Sequence, residues 1–107
     1  VVKEGRKAQE SHILIPIPTS ADIEPTMEKL CEIKAMCTDQ DQFRELAKEY
    51  SSCPSAQIGG RLGEFGRGTM APKFDDVVFT EEVGTVQGPV RTIYGGHLIW
   101  IESRTEK

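Results

Sequence analysis

The chain has 107 residues, 37% hydrophobic and 28% charged, with 10 glycines, 6 prolines and 3 cysteines. That length supports one compact core, and the composition excludes a disordered or low-complexity chain. A formal net charge of −4 with scattered Lys and Arg argues against a nucleic-acid partner, which asks for a concentrated basic face.

The longest apolar run, at residues 13–17, is far short of the roughly 20 residues that span a bilayer, so no membrane segment is expected. Cys31, Cys37 and Cys53 are odd in number and lack the paired spacing of a zinc site. Reduced thiols, no bound metal and an intracellular, cytoplasmic setting are therefore expected. The chain opens on Val1 without a leader or a methionine, and reads as a domain cut from a longer protein, organellar proteins included.

Residues 1–10 are charged and aperiodic and read as a flexible lead-in, the domain proper being bounded at 8–104 with a tail at 105–107. SHILIPIP, residues 11–18, is rich in β-branched residues and closed by two prolines, which predicts a strand. His12 and Leu14 share one of its faces, Ile13 and Ile15 the other, and both faces are expected to be buried. In residues 19–37 Ser20 or Asp22 is placed to cap a helix, Pro25 suits its first turn, and Met27, Leu30, Cys31 and Ile33 form its apolar stripe.

After a polar break at 38–41, Phe43, Leu46, Ala47 and Tyr50 recur at i, i+3, i+4 and i+7, predicting a helix with one buried face. The glycine-rich stretch SSCPSAQIGGRLGEFGRGTM, residues 51–70, reads as loop and irregular segments with a short strand. Helical spacing resumes at Phe74, Val77 and Val78 behind Pro72, and the chain turns at Gly84. Strands are expected at 86–92 and 97–102, joined by a tight connection at 93–96. This order of elements implies an α+β domain with a small, largely antiparallel sheet.

His12 lies in the first strand and His97 opens the last, so pairing of those strands brings the two imidazoles together. They read either as core residues satisfied by hydrogen bonds or as a functional pair. Six motifs, SHIL (11–14), EYSSCPS (49–55), GGRLGEF (59–65), RGTMAPKF (67–74), GPVRT (88–92) and GGHLI (95–99), resemble in content and order those of the parvulin-type peptidyl-prolyl cis-trans isomerases. The resemblance covers residues 8–103. It implies a parvulin-like, FKBP-like β-α-α-α-β-α-β-β domain whose four-stranded antiparallel sheet is wrapped by helices. It further implies rotation about X–Pro bonds in protein substrates, assistance to protein folding, no cofactor, and a monomer whose partners are proline-containing peptides and unfolded proteins.

By the same resemblance, His12 and His97 are the paired histidines beneath a proline pocket, Thr92 stands near them, and Cys53 lies at the rim. Leu62, Met70 and Phe74 line the pocket, and Tyr94 occupies a position often held by an aromatic ring.

The chemistry asks little of such a site. Amide rotation costs about 18–20 kcal/mol, and raising a rate of about 0.01 per second to about 10 per second needs only about 4 kcal/mol. Excluding water and gripping the twisted ring can supply that sum without a covalent intermediate, a metal or a strong base. Cys53 then needs no catalytic partner, the histidines order the pocket instead of moving protons, and the glycines are expected to bend the backbone around the peptide.

The connection at 15–22, IPIPTSAD, offers no Lys or Arg to clamp a phosphate. Turnover without phosphoserine or phosphothreonine before the proline is expected, with an uncharged residue preferred there. Gly96, where a larger residue usually precedes the second histidine, is expected to loosen the pocket floor, and Ile93 leaves hydrogen bonding near Thr92 open. Two readings compete: a cysteine hydrolase pairing Cys53 with a histidine, for which no orienting group or oxyanion hole is signalled, and a peptide-binding or chaperone module with little turnover.

Overall fold

The computed structural model describes residues 7–105. Its elements are β1 (Lys7–Ile15), α1 (Ile23–Met36), α2 (Gln40–Tyr50), β2 (Arg61–Gly66), α3 (Pro72–Thr80), β3 (Val86–Thr92) and β4 (Gly95–Arg104). Short 3-10 helices precede α1 at Ser20–Asp22 and β2 at Pro54–Ile58. The second of these replaces the third α-helix implied ahead of β2. Pro54 opens it and Gly59, left-handed at φ 74°, closes it, so there is room for little more than one turn.

The four strands form one sheet in the order β2-β1-β4-β3, with every neighbouring pair antiparallel. β1 and β4 occupy its centre, and the two-residue period of each strand sorts their side chains into two layers. On one face Ile13, Leu98 and Trp100 pack against Leu30 and Ile33 of α1 and Phe43, Leu46 and Ala47 of α2. On the other, Ala8, Ile99 and Ile101 pack against Phe74, Val78 and Phe79 of α3. The second layer carries the two histidines.

α2 follows its periodicity closely, and Asp39 caps it by accepting the Gln42 N–H at 2.8 Å. In α1 only Leu30 and Ile33 are buried; Cys31, expected in the stripe, is exposed, because one residue beyond Leu30 turns it about 100° around the helix. Asp22 accepts both the backbone N–H and the hydroxyl of Thr19, at 3.2 and 2.6 Å, and so fixes the turn ahead of α1 without capping that helix directly.

Lys7–Glu10, expected within the flexible lead-in, are strand. Ala8 stands between Phe65 of β2 and Arg104 of β4, and Lys7 exchanges hydrogen bonds with Thr105, each N–H donating at 2.8 Å. Pairing on both sides overrides the polar side chains. The rest of the expected lead-in, residues 1–6, and the tail residues 106–107 lie outside the described residues. β4 also runs beyond the expected 97–102, starting at Gly95 and ending at Arg104.

Candidate active site

His12 lies opposite Ile99, and His97 opposite Leu14, which turns both imidazoles to the α3 face. Their Nδ1 atoms are 3.2 Å apart, with ring centroids at 5.3 Å and planes 29° from parallel. Only 4% of His12 and 3% of His97 is exposed. Phe74 of α3 seals both rings edge-on, at 5.8 Å from His12 and 5.2 Å from His97. On the far side of His97, Nε2 lies 2.7 Å from the Thr92 hydroxyl, which also accepts the Tyr94 N–H at 3.1 Å.

Burial holds both imidazoles down to about 4, the neighbouring His97 adding to the effect on His12. Both are therefore neutral at pH 7, with one N–H each. Of the two Nδ1 atoms one must donate and the other accept. If His12 donates, the His97 proton sits on Nε2 and donates to Thr92, and the atom left bare is the acceptor His12 Nε2, which has no partner among the described residues. The reverse arrangement strands a buried N–H, the rarer and costlier case. The proton chain thus runs from His12 to His97 to Thr92.

The glycine-rich segment supports this pair from beneath. The His12 N–H donates to the Gly60 carbonyl at 2.9 Å. Gly60 sits at φ 82°, and any side chain there would collide with the His12 carbonyl oxygen. Its freedom serves strand contact at His12.

Cys53 is half-buried at the start of the 3-10 helix Pro54–Ile58. Its thiol accepts from the Ser55 hydroxyl at 3.2 Å, and its N–H donates to the Ser51 hydroxyl at 3.3 Å. The two imidazoles meanwhile face each other through Nδ1, so the described hydrogen bonds hold no thiol–imidazole pair of the kind a cysteine hydrolase requires.

Leu62 and Met70 are half-buried and pack on the layer that contains Phe74. Phe74 itself is 1% exposed, making it a floor more than a wall. Tyr94 is 64% exposed, so its ring stands in solvent. Gly96 does not face the pocket: a Cβ there would lie 2.5 Å from Leu30 Cδ1 on the α1 side, so the expected loosening of the floor does not arise. Ile93 is exposed as well, and it leaves the Thr92 bonds intact.

Two surface grooves share the segment from Arg91 to Ile93. One, about 310 Å³, opens between that segment and the β1–α1 connection at Ile17, Pro18, Thr19, Ser20 and Ile23. The other, about 500 Å³, opens between it and Ala71, Pro72 and Lys73 at the start of α3. Three charged residues near the site escaped sequence reading. Arg91 and Lys73 directly precede Thr92 and Phe74, an adjacency that could have drawn attention. Glu10 precedes His12 by two, which on a strand means the same face; it is almost fully buried, and neither of its carboxyl oxygens has a partner among the described residues.

The profile of the rotamase family, the PPIC-type PPIASE domain, matches residues 12–103. The chain is similar to the foldase protein PrsA of Geobacillus sp. (strain WCH70), 39% identical over 102 residues, which are 94% of this chain and 34% of that protein. It is also similar to the chaperone SurA of Burkholderia pseudomallei (strain 1710b), 33% identical over 95 residues, 89% of this chain and 21% of that one. The crystal structure of the peptidylprolyl isomerase PrsA from Bacillus cereus matches with a TM-score of 0.75 at 37% identity, covering 94% of this chain and 36% of that chain. The chain thus spans about a third of the length of these PrsA relatives. Sheet order and profile agree: the chain belongs to the PPIC-type, or parvulin, family of peptidyl-prolyl cis-trans isomerase domains.

Proposed function

We propose that this domain, acting as a monomer and without a cofactor, accelerates cis-trans exchange at X–Pro bonds of peptides and unfolded protein segments. It does so without phosphate on the residue before the proline. The observation that carries the reading is the neutral His12–His97 pair, sealed by Phe74 and anchored by Thr92.

In a half-rotated amide the nitrogen lone pair leaves conjugation and the carbonyl loses polarity, so a water-poor surface favours that state over the planar one. Leu62 and Met70 present the apolar surface for the ring, with Phe74 behind them. The imidazoles act by position: rotation consumes no proton, and their bond ties β1 to β4 beneath Phe74 of α3. Cys53 stands at the rim. A phosphate dianion is best held by several charged donors, whereas the β1–α1 connection supplies none and the groove beside it offers only Arg91. Service to unfolded chains fits the foldase and chaperone names of the relatives.

Exchange spectroscopy on a proline tetrapeptide tests the reading. Cis-trans exchange is expected to rise well above the spontaneous rate of about 0.01 per second. Binding without faster exchange would establish a peptide-holding module instead. Faster turnover of a phosphoserine-proline peptide than of its serine twin would defeat the phosphate-independent part.

A further inference from the structure

The 500 Å³ groove between the start of α3 and the end of β3 is lined by Ala71, Pro72, Lys73, Arg91, Thr92 and Ile93. It therefore holds two cations and no carboxylate, in a chain whose formal net charge is −4. The ion pairs of the described residues engage Arg44, Lys48 and Arg67, leaving Lys73 and Arg91 exposed and unpaired. The two arise from elements distant in sequence, yet each adjoins a residue of the candidate site. Lys73 precedes Phe74, whose ring touches both histidines, and Arg91 precedes Thr92, which binds His97. Ala71, in the wall of this groove, follows Met70 in the chain, so a peptide with its proline against Met70 has this groove beside its neighbouring side chains.

We infer that Lys73 and Arg91 are specificity-determining residues that favour substrates carrying Asp or Glu close to the proline. The inference rests on the isomerase reading and gives it a substrate class. Arg91 offers a planar fork that matches a carboxylate, while Lys73 contributes a mobile point charge. Neither requires a dianion, so a singly charged side chain suffices. This replaces the uncharged preference that the β1–α1 connection alone suggested, because the cations come from the opposite walls.

The test compares peptides with Glu or Gln at each of the two positions on either side of the proline. In at least one placement Glu is expected to raise kcat/KM about two- to fivefold over Gln at low ionic strength, the range of exposed ion pairs. That ratio should shrink towards one near 1 M salt, where charges are felt over only about 3 Å, and should fall to one in the K73Q/R91Q double variant. Equal turnover of Glu and Gln peptides at every placement overturns the inference, as does a preference that survives in the double variant. If no peptide is isomerised, the isomerase reading falls separately. Peptide titration followed at the amides of Ala71, Lys73 and residues 91–93 then decides the groove, and equal affinity for Glu and Gln peptides refutes it.

Discussion

Glu10 should lower this domain's stability as pH rises through neutrality, and Glu10→Gln should remove that contribution. The carboxyl is 1% exposed and without a partner among the described residues. Burial first, then the negative charges of Asp75 on α3 and Glu102 on β4, push its pKa from 4.5 up to about 8. Arg67, which pairs with Asp75 at 3.4 Å and Asp76 at 3.1 Å, makes no hydrogen bond to the Glu10 carboxyl.

Below pH 4.5 folded and unfolded chains both carry the proton, and the fold bears no penalty from it. Above that point the unfolded chain releases the proton while the folded chain keeps it until about pH 8, so stability drops about 1.4 kcal/mol per unit of pH between the two values. From pH 6 to pH 9 the loss is about 3 kcal/mol, a large share of a typical 5–15 kcal/mol total. Glutamine keeps the shape and carries no titrating proton.

Denaturant unfolding of both proteins at pH 6, 7, 8 and 9 is the assay. Relative to Glu10→Gln, the wild type should lose about 3 kcal/mol across the series, the histidines contributing equally to both proteins, and at pH 7 the variant should melt on the order of 10 °C higher. Parallel pH curves for the two proteins would refute the reasoning.

The histidines work in the opposite sense. Their pKa values are lowered to about 4, so the stability they permit is present above pH 6.5 and is lost as pH falls from 6.5 towards 4, by about 3 kcal/mol for each ring. NMR signals of both imidazoles should show no titration between pH 8 and 5.5, and a midpoint near 6.5 would contradict their burial. Thr92→Val leaves His97 Nε2 buried without its partner at 2.7 Å and should cost about 1–2 kcal/mol of stability and about tenfold in kcat/KM. Thr92→Ser should retain both, as unfolding and exchange rates would show. Gly96→Ala drives a methyl to within 2.5 Å of Leu30 Cδ1 in a closed layer and should lower stability by about 1–3 kcal/mol in denaturant titration.

Much of the architecture was legible because periodicity is a local property. The 3.6-residue recurrence in α2 and the two-residue alternation of β1 and β4 each follow from one short segment, whereas the common face of His12 and His97 follows from the β1–β4 register. What stayed hidden depends on partners supplied from elsewhere. Lys7–Glu10 look like solvated chain until β2 and β4 flank them, and Gly96 looks like a loosened floor until α1 is seen covering it. The Lys73–Arg91 groove exists only because α3 and β3 meet. The site residues divide in the same way: the imidazole pair and Phe74 converge through regular elements, whereas Tyr94 sits on a turn whose side-chain direction no periodicity specifies.

The shifts of Glu10, His12 and His97 together identify what kind of environment the α3 face provides. A nearby negative charge would raise the pKa of a carboxyl and of an imidazole alike, and a positive charge would lower both. Here the carboxyl goes up and the imidazoles go down, and burial is the leading cause for all three, with Asp75 and Glu102 adding to the rise at Glu10 and His97 to the fall at His12. The layer between β1, β4 and α3 is therefore dry along at least the distance from Glu10 to His97, and it meets the half-buried Leu62 and Met70 at its edge. Dryness destabilises the fold through Glu10 at high pH and through the histidines at low pH, and under the proposed function it is also the property that eases a prolyl amide out of planarity at the edge of this layer. Under that function, the buried layer that sets the pH limits of stability is the same one on which the proline surface rests.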